Sequence, residues 1–320
     1  MWYVSVITSP SSQARTANFA RYAWSVVGWN LLVILWGAFV RATGSGAGCG
    51  SHWPLCNGEV VPRAPRIETI IEFTHRLSSG IALLAVVGLA VWSFMRFPKN
   101  HRVHRAALVS VAFFVTEALL GAGLVLFDYV GLNASAGRAV YLSLHLLNTE
   151  FLLAALVLTA WFAQNPDREY GVPRSPLVIA TLAAALLVMI TGGIAALGDT
   201  LFPASSLAAG IRQDLSAASN FLVRLRALHP ALAVLAAIAF IAAAFQYLRS
   251  AARPIALTVL ALTMTQIVVG SINIALLAPS WMQIIHLLMA DLVWLALVLL
   301  AIEASRLPAA QHANCRVALC

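Results

Sequence analysis

The sequence predicts an all-α membrane protein whose eight transmembrane helices form two pseudo-symmetric four-helix bundles. Three observations carry this: extreme apolarity, eight runs of bilayer length, and an internal repeat. Apolar residues make up 61% of the 320 and charged residues only 10%, with a mean hydropathy of +0.86, far from the soluble average. A hydrocarbon core of about 30 Å needs about 20 apolar residues per helix. Eight runs reach that length: 22–42, 72–95, 105–127, 139–163, 176–197, 226–248, 254–277 and 281–303. The first is too long for a signal peptide and lacks a small-residue cleavage site.

The repeat divides the chain. The third run, "TEALLGAGLVLF", leads to "YLSLHLLNTE", and the seventh, "TQIVVGSINIALL", leads to "MQIIHLLMAD". Thr116, Glu117 and Gly121 match Thr265, Gln266 and Gly270, and each stretch then reaches a His-Leu-Leu with an acid five residues after the His. A weaker match joins "RATGSGAG" to "MITGGIAALG", which lead to "EFTHRLSSGIALL" and "RLRALHPALAVL". Two bundles follow, 22–165 and 170–305, flanked by an N-terminal segment 1–21 and a tail 306–320. Each is an up-down bundle, and parallel repeats with an even helix number run in the same direction.

The net charge of +8 could suit nucleic acid, but its distribution is that of a membrane protein. Arg96, Lys99, Arg102 and Arg105 crowd one loop, and Arg15, Arg21, Arg249, Arg253, Arg306 and Arg316 fall at the same end. The positive-inside rule makes that end, with both termini, cytoplasmic. A bacterial inner membrane is expected, and nucleic acid is not an expected partner. Arg63, Arg66, Arg138, Arg212, Arg224 and Arg226 lie at the opposite, outer end, so the bias is moderate.

Cys49 and Cys56 sit in the first outer loop, "GSGAGCGSHWPLCNG". An oxidising compartment and flexible glycines favour their pairing, since no helix would bury either; two free thiols are the alternative. Cys315 and Cys320, in the tail, are expected to stay reduced.

Even-numbered helices all run inward from the outer face, and each carries one histidine near its start: His75, His145, His229 and His286. A single intramembrane histidine is often an interhelical contact. Four at matched depth, two per half, suit axial ligation of haem iron between helices. Zinc is the less attractive alternative, wanting three or four ligands, although Cys49 and Cys56 lie above His75. Arg41, Arg76, Arg138, Arg224 and Arg226 are placed to meet haem propionates, or to snorkel at the interface.

Glu72 lies three residues before His75, whereas Arg226 lies three before His229. Two equal electron-transfer haems would not need that difference; one reacting site beside one redox site would. A plain helix-start carboxylate is the competing reading.

"GAFVRATGSG", "CGSHWPLCNG", "EFTHRLSSG" and the His-Leu-Leu pairs together resemble the haem A synthases, over residues 20–305. The resemblance implies an oxidoreductase that converts the C8 methyl group of haem O to the formyl group of haem A by successive hydroxylations, for cytochrome oxidase. It implies that His229 and His286 hold a resident haem b, that His75 and His145 bind the haem O substrate, and that Glu72 is the catalytic carboxylate near it. Cys49 and Cys56 match the family's first-loop cysteines. Some members carry a second cysteine pair between helices five and six; residues 198–225 have none. The partners implied are haem O, a haem O synthase, an electron donor and the lipid bilayer, with self-association into a homo-oligomer left open.

Two other readings compete. A two-haem membrane cytochrome b passing electrons from quinol explains the four histidines equally well, but not Glu72 opposite Arg226. A transporter would suit duplicated halves with intramembrane acids, here Glu117, Glu150 and Asp291. These helices lack paired central Gly/Pro breaks, and the two acids that follow the histidines are read as interhelical contacts.

Overall fold

The computed structural model describes residues 10–307, with side chains from residue 16 onward. Those residues form ten α-helices and one 3-10 turn: α1 Pro10–Ala42, α2 Ile67–Arg96, α3 Arg102–Leu126, α4 Ala136–Gln164, α5 Pro176–Leu201, α6 Leu207–Leu215, α7 Phe221–Arg226, α8 Leu228–Tyr247, α9 Arg253–Ala275 and α10 Ser280–Ala304. Strand structure among them is confined to two isolated bridges, Cys56–Glu59 and Tyr170–Arg306. Eight spans are long and apolar enough to cross a membrane, so this is a multi-pass membrane protein. With an even number of spans, residues 10 and 307 lie at one end, the termini end, and the Cys49–Cys56 loop at the other.

The helices start earlier than hydropathy suggests. α1 begins at Pro10 rather than at 22, and α2 at Ile67 rather than at 72, because polar residues continue a helix beyond the hydrocarbon. The sixth span, expected as one helix over 226–248, is two, α7 and α8, interrupted at Ala227. Pro230 has no N–H for the carbonyl of Arg226 four residues earlier, so the ladder breaks there. The loop expected over 198–225 contains the short helix α6. Cys315 and Cys320 lie outside the described residues.

Packing follows the repeat. In the N-terminal half α1 meets α2, α2 meets α3, α3 meets α4 and α4 returns to α1; in the C-terminal half α5, α8, α9 and α10 close the same cycle. The halves join through α1 and α4 against α5 and α10. That seam makes α4 and α10 the most enclosed spans, with 67% and 50% of their central windows buried. One apolar cluster, including Phe19, Leu89, Leu153, Leu156, Leu297 and Leu300, spans both halves. It lies mostly toward the termini end and leaves the other end for polar side chains.

At the termini end the linker between halves is tied to the chain after α10. Gly171 N–H donates to Ser305 O at 2.8 Å and Leu307 N–H to Glu169 O at 2.9 Å. Buried Glu303 accepts from Arg168 and Arg306, each at 3.2 Å, and from the Tyr170 hydroxyl at 3.3 Å. His101 and His104 serve the same end structurally: His101 caps α3 by accepting from Val103 N–H at 3.3 Å, and His104 Nε2 is 3.0 Å from Ser93 O. Burial pushes the His101 imidazole below its usual pKa.

Candidate functional site

His75, His145 and His286 lie roughly two turns inside the disulfide end of α2, α4 and α10, and His229, at the start of α8, lies roughly two turns beyond the start of α7. Within each half the pair comes from helices at opposite corners of the cycle. The C-terminal pair shows the spacing directly: the rings of His229 and His286 are 6.2 Å apart between centroids and inclined at 82°. Two imidazole–metal bonds of about 2 Å plus two ring radii of about 1 Å also span roughly 6 Å. The donor set therefore fits one six-coordinate metal held in a macrocycle between α8 and α10. In the N-terminal half His75 and His145 are close enough for their charges to interact.

Four glycines, one per odd-numbered span, back these rings. A Cβ on Gly37 (α1) would lie 2.9 Å from His75 Cε1, on Gly192 (α5) 2.9 Å from His229 Cε1, and on Gly270 (α9) 2.9 Å from His286 Cε1. On Gly121 (α3) it would lie 3.8 Å from His145 Cε1. The match of Gly121 with Gly270, visible in the sequence, is thus a match of function. In the weaker repeat the structural counterpart of Gly192 is Gly37, since each faces the histidine of the following span. Gly44, which the sequence match pairs with that region, lies beyond α1 at a φ of 69°.

The surroundings of the two pairs differ. Glu117 on α3 accepts from Asn148 Nδ2 at 2.6 Å and from the Thr149 hydroxyl, and its Oε1 is 3.1 Å from His145 Nδ1. The Thr116 hydroxyl adds a bond to Asn148 Oδ1 at 2.6 Å. The repeat partner Gln266 instead donates to the backbone carbonyl of His286 at 3.2 Å, with no carboxylate in the place of Glu117. His229 Nδ1 is 3.3 Å from the Thr191 hydroxyl. Sequence reasoning counts Glu117 only among the intramembrane acids of the transporter alternative; its repeat mismatch with Gln266 was the signal for a place beside His145.

Cys49 and Cys56 form a disulfide, with sulfurs 2.02 Å apart, which removes both from any zinc site. Contrary to expectation the two residues are fully buried, because the loop folds over α2. Glu72 and Arg76 hold it there. Glu72 Oε2 accepts from Cys49 N–H at 2.8 Å, and Oε1 pairs with Arg76, whose NH1 donates to His52 O at 2.6 Å and Leu55 O at 2.7 Å. The Thr69 hydroxyl completes the clamp on Gly48 O at 2.7 Å.

The C-terminal half has a clamp of opposite sign. Arg226 donates to Asp214 at 2.6 Å and to Asp199 at 2.8 Å, fastening α6 against α5 and α7. Glu72 and Arg226, which break the repeat by charge, therefore do similar jobs for their loops.

Two of the other arginines also bond to protein. Arg41 reaches across the seam to Ala196 O, the Thr200 hydroxyl and Gln283 Oε1, each at 2.9 Å. Buried Arg138 secures the α3–α4 loop through Gly131 O at 2.7 Å and Asn133 O at 2.8 Å. Arg224 is exposed and makes no such bond among the described residues.

A sequence model of the cytochrome oxidase assembly protein family, COX15-CtaA, matches residues 20–298. A protein of Thermus thermophilus named protoheme IX farnesyltransferase is 49% identical over 298 residues, covering 90% of this chain and 48% of its own length. The chain thus spans about half the length of that relative. The heme A synthase of Alkalihalophilus pseudofirmus is 39% identical over 140 residues, 44% of each chain. That of Exiguobacterium sibiricum is 31% identical over 166 residues, 51% of this chain and 54% of its own. Matched along most of its length and sharing these enzymes as relatives, the chain belongs to the haem A synthase family of cytochrome oxidase assembly proteins.

Proposed function

We propose that this protein oxidises the C8 methyl group of haem O to the formyl group of haem A. In this reading His229 and His286 hold a resident haem b, and His75 and His145 receive the haem O substrate. The observation that carries it is the facing pair of imidazoles at 6.2 Å, repeated in sequence by a second pair in a chain of this family. Bound haem would supply the redox chemistry that side chains lack toward an unactivated methyl group.

The protein's own residues orient and enclose. The glycines leave room for each imidazole, Glu117 sets a carboxyl group at His145, and the Glu72–Arg76 clamp seats the disulfide loop over α2. Glu72 then serves the reaction first as a positioning residue, since both of its oxygens are engaged. The disulfide end faces the periplasm and both termini the cytoplasm of a bacterial inner membrane. Haem O would come from a haem O synthase. That a relative named for protohaem farnesylation matches 90% of this chain with 48% of its own length supports such a pairing.

Clamps of comparable geometry in both halves favour a second reading, a two-haem cytochrome b that passes electrons and leaves haem unchanged. Co-expression with a haem O source, followed by extraction and chromatography of the haems, separates the two. Haem A beside haem b supports the synthase. Two haem b per chain with no conversion supports the cytochrome.

A further inference from the structure

Glu150 on α4 and Asp291 on α10 follow their histidines by five residues, at matching positions of the repeat. That spacing carries them about 7 Å deeper and turns them away from the histidine face. Both residues are completely buried, and none of their four carboxyl oxygens finds a hydrogen-bond partner among the described residues. The seam brings them together. Trp294, one turn beyond Asp291 on α10, donates its indole N–H to the Glu150 backbone carbonyl at 2.8 Å, which sets that face of α10 against Glu150.

The charged groups close enough to act on Glu150 are Asp291 and Glu117, both acids. On the helices of the seam and its neighbours, Arg41 on α1, Arg138 on α4, Asp199 on α5, Arg253 on α9 and Glu303 on α10 sit near helix ends, and Arg21 on α1 precedes the apolar run that begins at residue 22. Two adjacent carboxylates in hydrocarbon with no base to pair them are untenable. A divalent cation would want about six oxygens, and no group of three or more His, Cys, Asp or Glu side chains suited to a metal occurs among the described residues. A proton answers the same need with two carboxyls alone.

We propose that Glu150 and Asp291 form a proton-binding site on the seam between the halves, one carboxylic O–H donating to the other carboxyl. The site lies between the two histidine pairs, with Glu117 linking it toward His145. There it can gain or lose a proton as the charge of either half changes. That last role rests on the haem reading; the proton site itself does not.

The test is infrared spectroscopy of the purified full chain in H2O and D2O, with Glu150→Gln and Asp291→Asn. A deuterium-sensitive C=O band of a protonated carboxylic acid should be present and should be lost or shifted in both single variants, since they share it. Absence of the band, or its indifference to both substitutions, overturns the proposal. So does loss of the band upon stoichiometric binding of added Mg2+ or Zn2+. Haem content and melting temperature, measured on the same samples, exclude misfolding. A protein that shows the band but forms no haem A keeps the proton site and loses only the synthase reading.

Discussion

Glu117 Oε1 stands 3.1 Å from Nδ1 of His145, whereas the repeat-equivalent Gln266 bonds only to the backbone of His286. A carboxylate beside an axial imidazole raises its basicity and fixes its orientation. The two histidine pairs therefore have unequal surroundings, and on the proposed haem reading this predicts unequal haems. Glu117→Gln should weaken haem binding at the N-terminal site by roughly 10–100-fold, as such partners typically do. It should also raise that haem's midpoint potential and leave the C-terminal haem untouched. Redox titration followed by optical spectroscopy checks this; a shift of both haems equally would contradict it.

The glycines behind the rings predict a graded series. Gly192→Ala and Gly270→Ala place a methyl 2.9 Å from an imidazole carbon, and overpacking of this kind costs about 1–3 kcal/mol. Both variants should lose haem from the C-terminal site. Gly121→Ala, with 3.8 Å available, should retain its haem. Haem-to-protein ratios by absorbance decide.

Removing a clamp residue should be felt as stability. In the Arg76–Glu72 pair the side chains are only 14% and 4% exposed. Breaking a buried pair from one side costs about 3–5 kcal/mol, so Arg76→Ala should lower the melting temperature in detergent markedly. Arg226→Ala should act in the same direction, while exposed Arg224→Ala should stay within about 0.5 kcal/mol.

Tyr170 gives the termini end a pH signature. Its hydroxyl lies in a buried site next to Glu303; burial first, and then that carboxylate, raise its pKa above the usual 10.0. The folded state thus keeps the phenol protonated at pH values where the unfolded chain releases it. The contribution is fully present below about pH 10 and is lost as pH rises through the folded value. Thermal melts should decline more steeply above pH 10 in the native protein than in Tyr170→Phe. Equal slopes would assign the alkaline loss to other groups.

The sequence by itself determined the eight spans, the duplication and the four histidines at matched depth. These depend on local apolar length and on repeat register, which a chain carries without folding. It also marked Cys49 and Cys56 as partners, because so short a loop restricts their separation. Only the tertiary structure decided which faces meet. Gly37 opposes His75 and Gly192 opposes His229 across helices whose relative rotation no spacing encodes. Arg226 finds Asp199 and Asp214 because α6 folds back over α5 and α7. Glu150 meets Asp291 because two bundles, each closed by its own cycle of contacts, share a seam whose position is set by packing. Residues 141 apart in the chain became one site only when that seam formed.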